Sequence, residues 1–263
     1  LSYNNIMGVL QKIGRLEEAL EYGEKGVKIA ELQNEKQGNE ASLRDLFLSY
    51  NNIMEVLRKI GRLEEALEYG EKGAKIAELL KEKQGNEASL REWMMFYSII
   101  AGMLQTMGRW EEALEYCKKG TWITEYLKEK QENEESLGDL LLHYSCIMIA
   151  LQVMGRLEEV LEYGEKGAKV AEFLNEKQEN EESLQILLGF YDIMVDVLRE
   201  LGSQEEVLSY YKKRLRCKEK LCEKTPNEEN IISLYNACNE MGHEYYKRRE
   251  FETALSYYAL YKK

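Results

Sequence analysis

Between Leu43 and Ile60, apolar side chains recur at Leu46, Tyr50, Ile53, Met54 and Leu57. Steps of three and four place them on one stripe of an α-helix. Gly61 interrupts the pattern, as a residue free to adopt positive φ does just past a helix end. A second stripe follows at Leu63, Ala66, Leu67, Gly70, Ala74, Ala77 and Leu80, while Glu64, Glu65, Glu68, Glu71, Lys72, Lys75 and Lys81 occupy the other face. That charged face reads as solvated, with Glu68–Lys72 and Glu71–Lys75 spaced for i,i+4 pairs that stabilise by roughly 0.2–0.5 kcal/mol each. The segment predicts two helices joined at Gly61.

This hairpin repeats. Gly-Arg-Leu-Glu-Glu-Ala-Leu-Glu-Tyr runs from Gly14 to Tyr22 and again from Gly61 to Tyr69. It returns at Gly108–Tyr116 with Trp110 for leucine, and at Gly155–Tyr163 with Val160 for alanine. A weaker copy begins at Gly202, so successive glycines lie 47 residues apart throughout. A sixth copy lacks the glycine, but Phe251 and Ala254 keep the register. Short polar joints separate the copies, and Asn39, Asn86, Asn133, Asn180 and Asn227 in them are placed to cap the following helix. A lone helical hairpin cannot cover its apolar face, whereas stacked copies bury a continuous core. The pattern predicts a single repeat domain over 1–263, with units at approximately 1–38, 39–85, 86–132, 133–179, 180–226 and 227–263.

On these residues the chain resembles the tetratricopeptide repeat (TPR). Aligned on Gly61, Tyr50 fills the first large aromatic site, Met54 stands where a small residue is usual, and Leu57 fills the next bulky site. Leu63 and Ala66 enter the tight contact between the two helices, and the last unit matches through Gly242, Tyr245, Phe251, Ala254 and Tyr258. The resemblance implies an all-α, right-handed α-solenoid of tandem antiparallel helix pairs, a TPR-like superhelix. The usual unit has about 34 residues; the 47-residue unit here is similar to those of kinesin light chain-like and bacterial regulatory arrays. A bacterial source is the corresponding expectation. A second departure is the glycine pairs inside the second helices: Gly23/Gly26, Gly70/Gly73 and Gly164/Gly167, with Cys117/Gly120 in the third unit. A helix-interior glycine costs about 1 kcal/mol relative to alanine. Close approach of a neighbouring helix is the expected reason, with a ligand site as the alternative.

The resemblance further implies that the first helix of each unit lines a concave face along which partners lie. The inward positions carried over are Leu1, Asn4, Gly8 and Gln11; Leu48, Asn51, Glu55 and Arg58; Met95, Ser98, Gly102 and Gln105. In the later units they are Leu142, Ser145, Ile149 and Gln152; Gly189, Asp192, Asp196 and Arg199; Asn236, Asn239, His243 and Tyr246. Leu1, Leu48, Met95 and Leu142, with Ile149, form an apolar stripe among amides and hydroxyls suited to a peptide backbone. Either this stripe is a binding surface, or the lengthened helices bury it. Asp192 and Asp196 allow for an electropositive partner segment, or are simply a solvated acidic pair. The lysines of the carboxylate clamp found in some members of the family have no counterpart at these positions.

Composition narrows the functional classes. A net charge of −12 disfavours nucleic acid and anionic membrane as partners, and the basic clusters Lys212-Lys213-Arg214 and Lys247-Arg248-Arg249 are short. Five cysteines without a CxxC pair, and two histidines without ligand spacing, predict no metal and no cofactor, and suit a reducing cytoplasm. No apolar run near 18 residues is expected to span a membrane. Neither a phosphate-cradling GxxxxGK[ST] nor a GxGxxG motif is present, and no nucleophile–base pair can be assembled around His143 or His243. The expected function is a non-catalytic module that binds a peptide or protein on its concave face. Alternatives are the sensor or regulatory arm of a larger signalling protein, consistent with a chain that begins at Leu1 and ends at Lys263 inside a second helix, or a scaffold that self-associates head to tail.

Overall fold

A computed structural model describes the backbone of residues 3–82, 87–130 and 134–259, and side chains over 3–80, 89–129 and 136–259. Among the described residues there are twelve helices and no strand. Residues 1–130 form one compact unit and 131–263 another. The first contains α1 (Tyr3–Lys12), α2 (Leu16–Gln37), α3 (Glu40–Ile60), α4 (Leu63–Glu82), α5 (Glu87–Thr106) and α6 (Trp110–Lys130). The second contains α7 (Glu134–Val153), α8 (Leu157–Gln178), α9 (Glu181–Glu200), α10 (Gln204–Lys224), α11 (Glu228–Lys247) and α12 (Phe251–Ala259). Within each unit consecutive helices pack on one another, and the short turns make them antiparallel neighbours. The fold class is an all-α solenoid of TPR-like helix pairs.

Local chemistry sets these boundaries. Gly61 ends α3 at φ +89°, where a side chain would be strained, and its N–H bonds the carbonyls of Arg58 and Leu57. The four other register glycines, Gly14, Gly108, Gly155 and Gly202, have φ between 69° and 77°. At the opposite end Asn39 Oδ1 accepts from the Ser42 N–H at 2.9 Å. Asn180 and Asn227 cap α9 and α11 in the same way at 2.8 Å. Asn86 and Asn133 lie outside the described residues. Ser42 Oγ and Ser183 Oγ also donate to Asn34 and Asn175 at the end of the preceding helix, which pins the joint.

Charge pairing on the outer face differs from the expected one. Glu68–Lys72 and Glu71–Lys75 form no ion pair; Lys72 lies 5.0 Å over the Tyr69 ring in a cation–π contact. The equivalent Glu162–Lys166 pair does form, at 2.7 Å. Each Gly-Arg turn also forks its arginine onto the glutamate three residues on, as in Arg62–Glu65, Nε–Oε1 2.6 Å. These exposed pairs contribute at most about 1 kcal/mol each.

The core is organised by a volume exchange between helices. Met7 faces Gly23, Met54 faces Gly70 and Met148 faces Gly164, the pairs lying 16 residues apart. A methyl group added at Gly70 would lie 3.2 Å from Met54 Sδ and 3.1 Å from Ile100 Cγ1 of the next unit's first helix. The third copy has Ala101 and Cys117 at these two positions, the fifth Val195 and Tyr211, and in the sixth Gly242 faces Tyr258. A second exchange operates at the joint with the next unit. Gly73 receives Phe96 and Gly167 receives Phe190, each ring where a Cβ would otherwise be. At the fifth copy the sizes reverse to Arg214 and Ala237, and at the first both residues, Gly26 and Ser49, are small and border a 320 Å³ cavity. The family's small first-helix residue has thus moved onto the second helix. Close packing is the reason these glycines are kept.

By length and composition, Ser136–Val153 of α7 is apolar enough to cross a membrane, contrary to the expectation from sequence. The window passes because the helix is buried along much of its surface; 56% of it lies inside the protein, with Leu137, Leu140, Leu141, Ile147, Met148 and Leu151 in the core. His143, 3% exposed, occupies the register position of Phe96 and Phe190 and sets its Nδ1 2.7 Å from the Asp139 carbonyl. Burial lowers its pKa below the usual histidine value.

Two outcomes follow. Met54→Ala should cost about 2–5 kcal/mol and Gly70→Cys about 1–3 kcal/mol. The double variant, which installs the third copy's pair, should recover most of the loss in a denaturant double-mutant cycle. Additive losses would show that the two positions do not share volume. As pH falls, the unfolded chain protonates His143 near about 6.5 before the folded chain does. Stability is therefore lost below that pH, and melting curves from pH 7 to 5 should show His143→Phe losing less than wild type.

Candidate partner-binding surface

The inward rows lie on exposed or half-exposed flanks of the first helices, while the neighbouring positions enter the core. In the first unit, α3 presents Leu48 at 40% exposure and α5 presents Met95 at 61%. In the second, Leu142 and Ile149 of α7 stand out at 58% and 46%. These four are therefore outside the core, and the reading in which longer helices bury them does not hold. Leu1 lies outside the described residues.

The polar members of the rows are arranged by their own helices. Ser98 and Ser145 donate to the Met94 and Leu141 carbonyls at 2.9 Å. Arg58 forks onto Glu55 with two bonds of 2.8 Å, and that hydrogen bonding holds the Glu55 carboxyl below the usual carboxylate range. Lys59 joins Glu55 at 3.5 Å and reaches Gln11 of α1 at 3.2 Å. Asn51, Gln105 and Gln152 lie in the same rows.

The acidic fifth unit is compensated from within. Asp192 meets Arg214 Nη1 at 3.1 Å, and Asp196 lies 3.8 Å from Arg199. Arg214 is 7% exposed, also pairs with Glu240 of α11 and stacks 5.1 Å over Tyr211. This arginine stands at the register position of Gly26, Gly73, Gly120 and Gly167, and it was missed from the sequence as one of a short basic cluster. Its signal was the coincident change of the opposing residue to Ala237.

Cavities open beside both rows at corresponding places. In the first unit a cavity of 500 Å³ is lined by Arg58, Leu63, Ile99, Gly102, Met103 and Thr106. In the second, one of 360 Å³ is lined by Arg199 with Gln204, Glu244 and Lys247, the positions of Leu63, Met103 and Thr106 three units on. Each thus has an arginine at the end of a first helix as its rim.

Glycines sort the surface further. A Cβ added at Gly8, Gly102 or Gly189 would meet nothing within 4 Å, and all three are inward positions. No packing inside either unit calls for them, unlike Gly73 or Gly167. Each leaves backbone bare at an inward-row position, at a helix-propensity cost of about 1 kcal/mol. Among the described residues no group of three or more His, Cys, Asp or Glu side chains could hold a metal ion.

Comparison with known proteins bears on the fold. A family model described as "PPR repeat" matches residues 1–27 and 48–72. No curated protein is recognisably similar in sequence. Among solved structures, one described as a kinesin light chain with nearly identical TPR-like repeats from Podosopora anserina superposes with TM-score 0.57 at 18% identity, over 86% of this chain and 96% of that one. BtubC from P. vanneervenii gives 0.52 at 14% identity over 92% and 87%. A signal transduction ATPase with a tetratricopeptide repeat sensor from Pyrococcus horikoshii gives 0.54 at 13% identity, over 97% of this chain and 35% of that one. The similarity is to TPR-like repeat solenoids, as a fold.

Gly102→Leu should project into the 500 Å³ cavity and, because its Cβ meets no neighbour, stabilise the fold by up to about 1 kcal/mol. A lowered melting temperature would show that the glycine serves packing after all.

Proposed function

From a TPR-like solenoid with bare inner glycines, we propose a non-catalytic interaction module that binds a peptide or protein segment on the inner, concave face. The observation that carries this reading is the set Gly8, Gly102 and Gly189, whose missing side chains serve no internal contact. Bare backbone beside exposed Leu48 and Met95, or Leu142 and Ile149, offers apolar seats and lets a partner chain approach the helices closely. Asn51, Gln105 and Gln152 carry amides in these rows for the partner's backbone, beside the Ser98 and Ser145 hydroxyls. Glu55–Arg58 and Asp196–Arg199 are ion pairs at the row ends that can reopen toward charged side chains. Asp192, held by the buried Arg214, fixes that edge of the surface. A cytoplasmic setting accords with five free cysteines.

A second reading is that the module is the sensing arm of a larger protein. The repeat array of the Pyrococcus horikoshii ATPase is described as a sensor, and this chain spans about a third of that protein.

Panning a random peptide library against the wild-type chain tests the proposal. Enriched peptides should carry spaced apolar side chains and should lose binding to Leu48→Glu/Met95→Glu/Leu142→Glu and to Gly102→Leu, each checked for helicity by circular dichroism. Binding that survives both folded variants would move the site off the inner face.

A further inference from the structure

The third copy departs from its near-identical neighbours at six places between Cys117 and Tyr126 of α6. Where the first, second and fourth copies have a glutamate (Glu24, Glu71, Glu165), it has Lys118; where they have a lysine (Lys28, Lys75, Lys169), it has Trp122. On the facing helix Trp93 replaces a leucine found at Leu46, Leu140, Leu187 and Leu234. These three changes line one cavity of 620 Å³ between α4, α5 and α6. Its volume falls within the range of small-molecule sites, about 300–1,000 Å³. Trp93 and Tyr97 enter it from the side of α5 away from Met95, so it is distinct from the inner face.

Trp93 and Ile123, each 2% exposed, form an apolar floor. Trp122 stands above at 46% exposure, stacked on Tyr126 with centroids 5.8 Å apart and planes 10° from parallel. Four charged residues complete the lining. Glu78 and Lys119 pair at 2.5 Å, with the ammonium also over the Tyr97 and Tyr116 rings at 5.8 and 5.2 Å. The fifth copy repeats that clasp with Glu172 and Lys213 at 3.3 Å, so it belongs to the shared framework. Glu115 is likewise shared, with Glu21, Glu68 and Glu162, and faces solvent. Lys118 is the one charge peculiar to this copy among the first four, and no hydrogen bond or ion pair engages it.

An exposed indole and an unengaged ammonium, introduced where the first, second and fourth copies have a lysine and a glutamate, define the ligand chemistry. We propose that this outer groove of the third repeat binds a planar aromatic carboxylate, its ring against Trp122 over the floor of Trp93 and Ile123 and its carboxylate at Lys118. Stacking on an indole and a charge-assisted hydrogen bond are the two contacts that such a ligand can make here at once.

The test uses 2-naphthoate as the probe and 2-naphthylmethylamine as its cationic counterpart, with binding followed by calorimetry. Trp122→Lys and Lys118→Glu restore residues that the neighbouring copies already carry, so both variants should fold. Wild type should bind the naphthoate in preference to the amine. Trp122→Lys should weaken that binding by about tenfold, the loss of one stacked ring. Lys118→Glu should weaken the naphthoate and spare or strengthen the amine, while Leu48→Glu/Met95→Glu should bind as wild type does. No naphthoate binding at millimolar concentration, equal binding of the amine, or unchanged binding in Trp122→Lys would each overturn the proposal.

Discussion

Everything in this chain depends on how closely the two helices of a unit, and the first helix of the next, can approach. The approach is set by the space shared between two positions 16 residues apart. Methionine against glycine, alanine against cysteine and glycine against tyrosine divide similar space, while valine and tyrosine in the fifth copy take more. Because interiors pack at crystal-like density, neither side of such a pair can change alone. The joint with the next unit obeys the same rule through Gly73 and Phe96, and through Gly167 and Phe190. Where the rule relaxes, at Gly26 and Ser49, a cavity appears. Where it inverts, at Arg214 and Ala237, a charge is brought inside and requires Asp192 and Glu240 beside it.

The same helices that pack so closely on one flank leave the other flank bare. Along α3 and α5, Tyr50, Ile53, Phe96 and Ile100 enter the core while Leu48 and Met95 do not. The glycines make the contrast plain, since Gly23, Gly70, Gly73, Gly164 and Gly167 are filled by neighbours and Gly8, Gly102 and Gly189 of the inward rows are not. A tyrosine ladder strengthens the packed flank. Tyr50 and Tyr69, Tyr97 and Tyr116, and Tyr191 and Tyr210 sit with centroids about 6 Å apart. Burial pushes the Tyr116 and Tyr210 hydroxyls up to about 12, so they stay neutral at any ordinary pH.

Much of this was legible in the sequence because repetition converts a weak signal into a strong one. The five register glycines, the asparagine caps and the apolar stripes each recur in step, and the helices begin and end where those residues say. The close approach at the glycine pairs was also readable from their cost in a helix. What could not be read was pairing across helices. Lysine 72 faces both a glutamate and a tyrosine ring, and only geometry decides for the ring. The burial of Arg214 was hidden for the same reason, since it depends on Asp192 and Glu240 in other helices. The outer groove of the third copy was present as six substitutions, yet their convergence on one cavity needs the fold.

The shared-volume pairs also bear on a hazard peculiar to near-identical repeats, which is that a helix can settle against the wrong copy. The first, second and fourth units carry interchangeable methionine–glycine pairs and offer no discrimination among themselves. The third sits between them with alanine and cysteine, and the fifth follows with valine and tyrosine. A second helix with Gly70 placed against Ala101 would leave a hole, and one with Cys117 placed against Met54 would collide. Copies three and five therefore act as registration marks along an otherwise repetitive chain. They penalise a slip of one unit during folding, when the hydrophobic pattern alone would accept it.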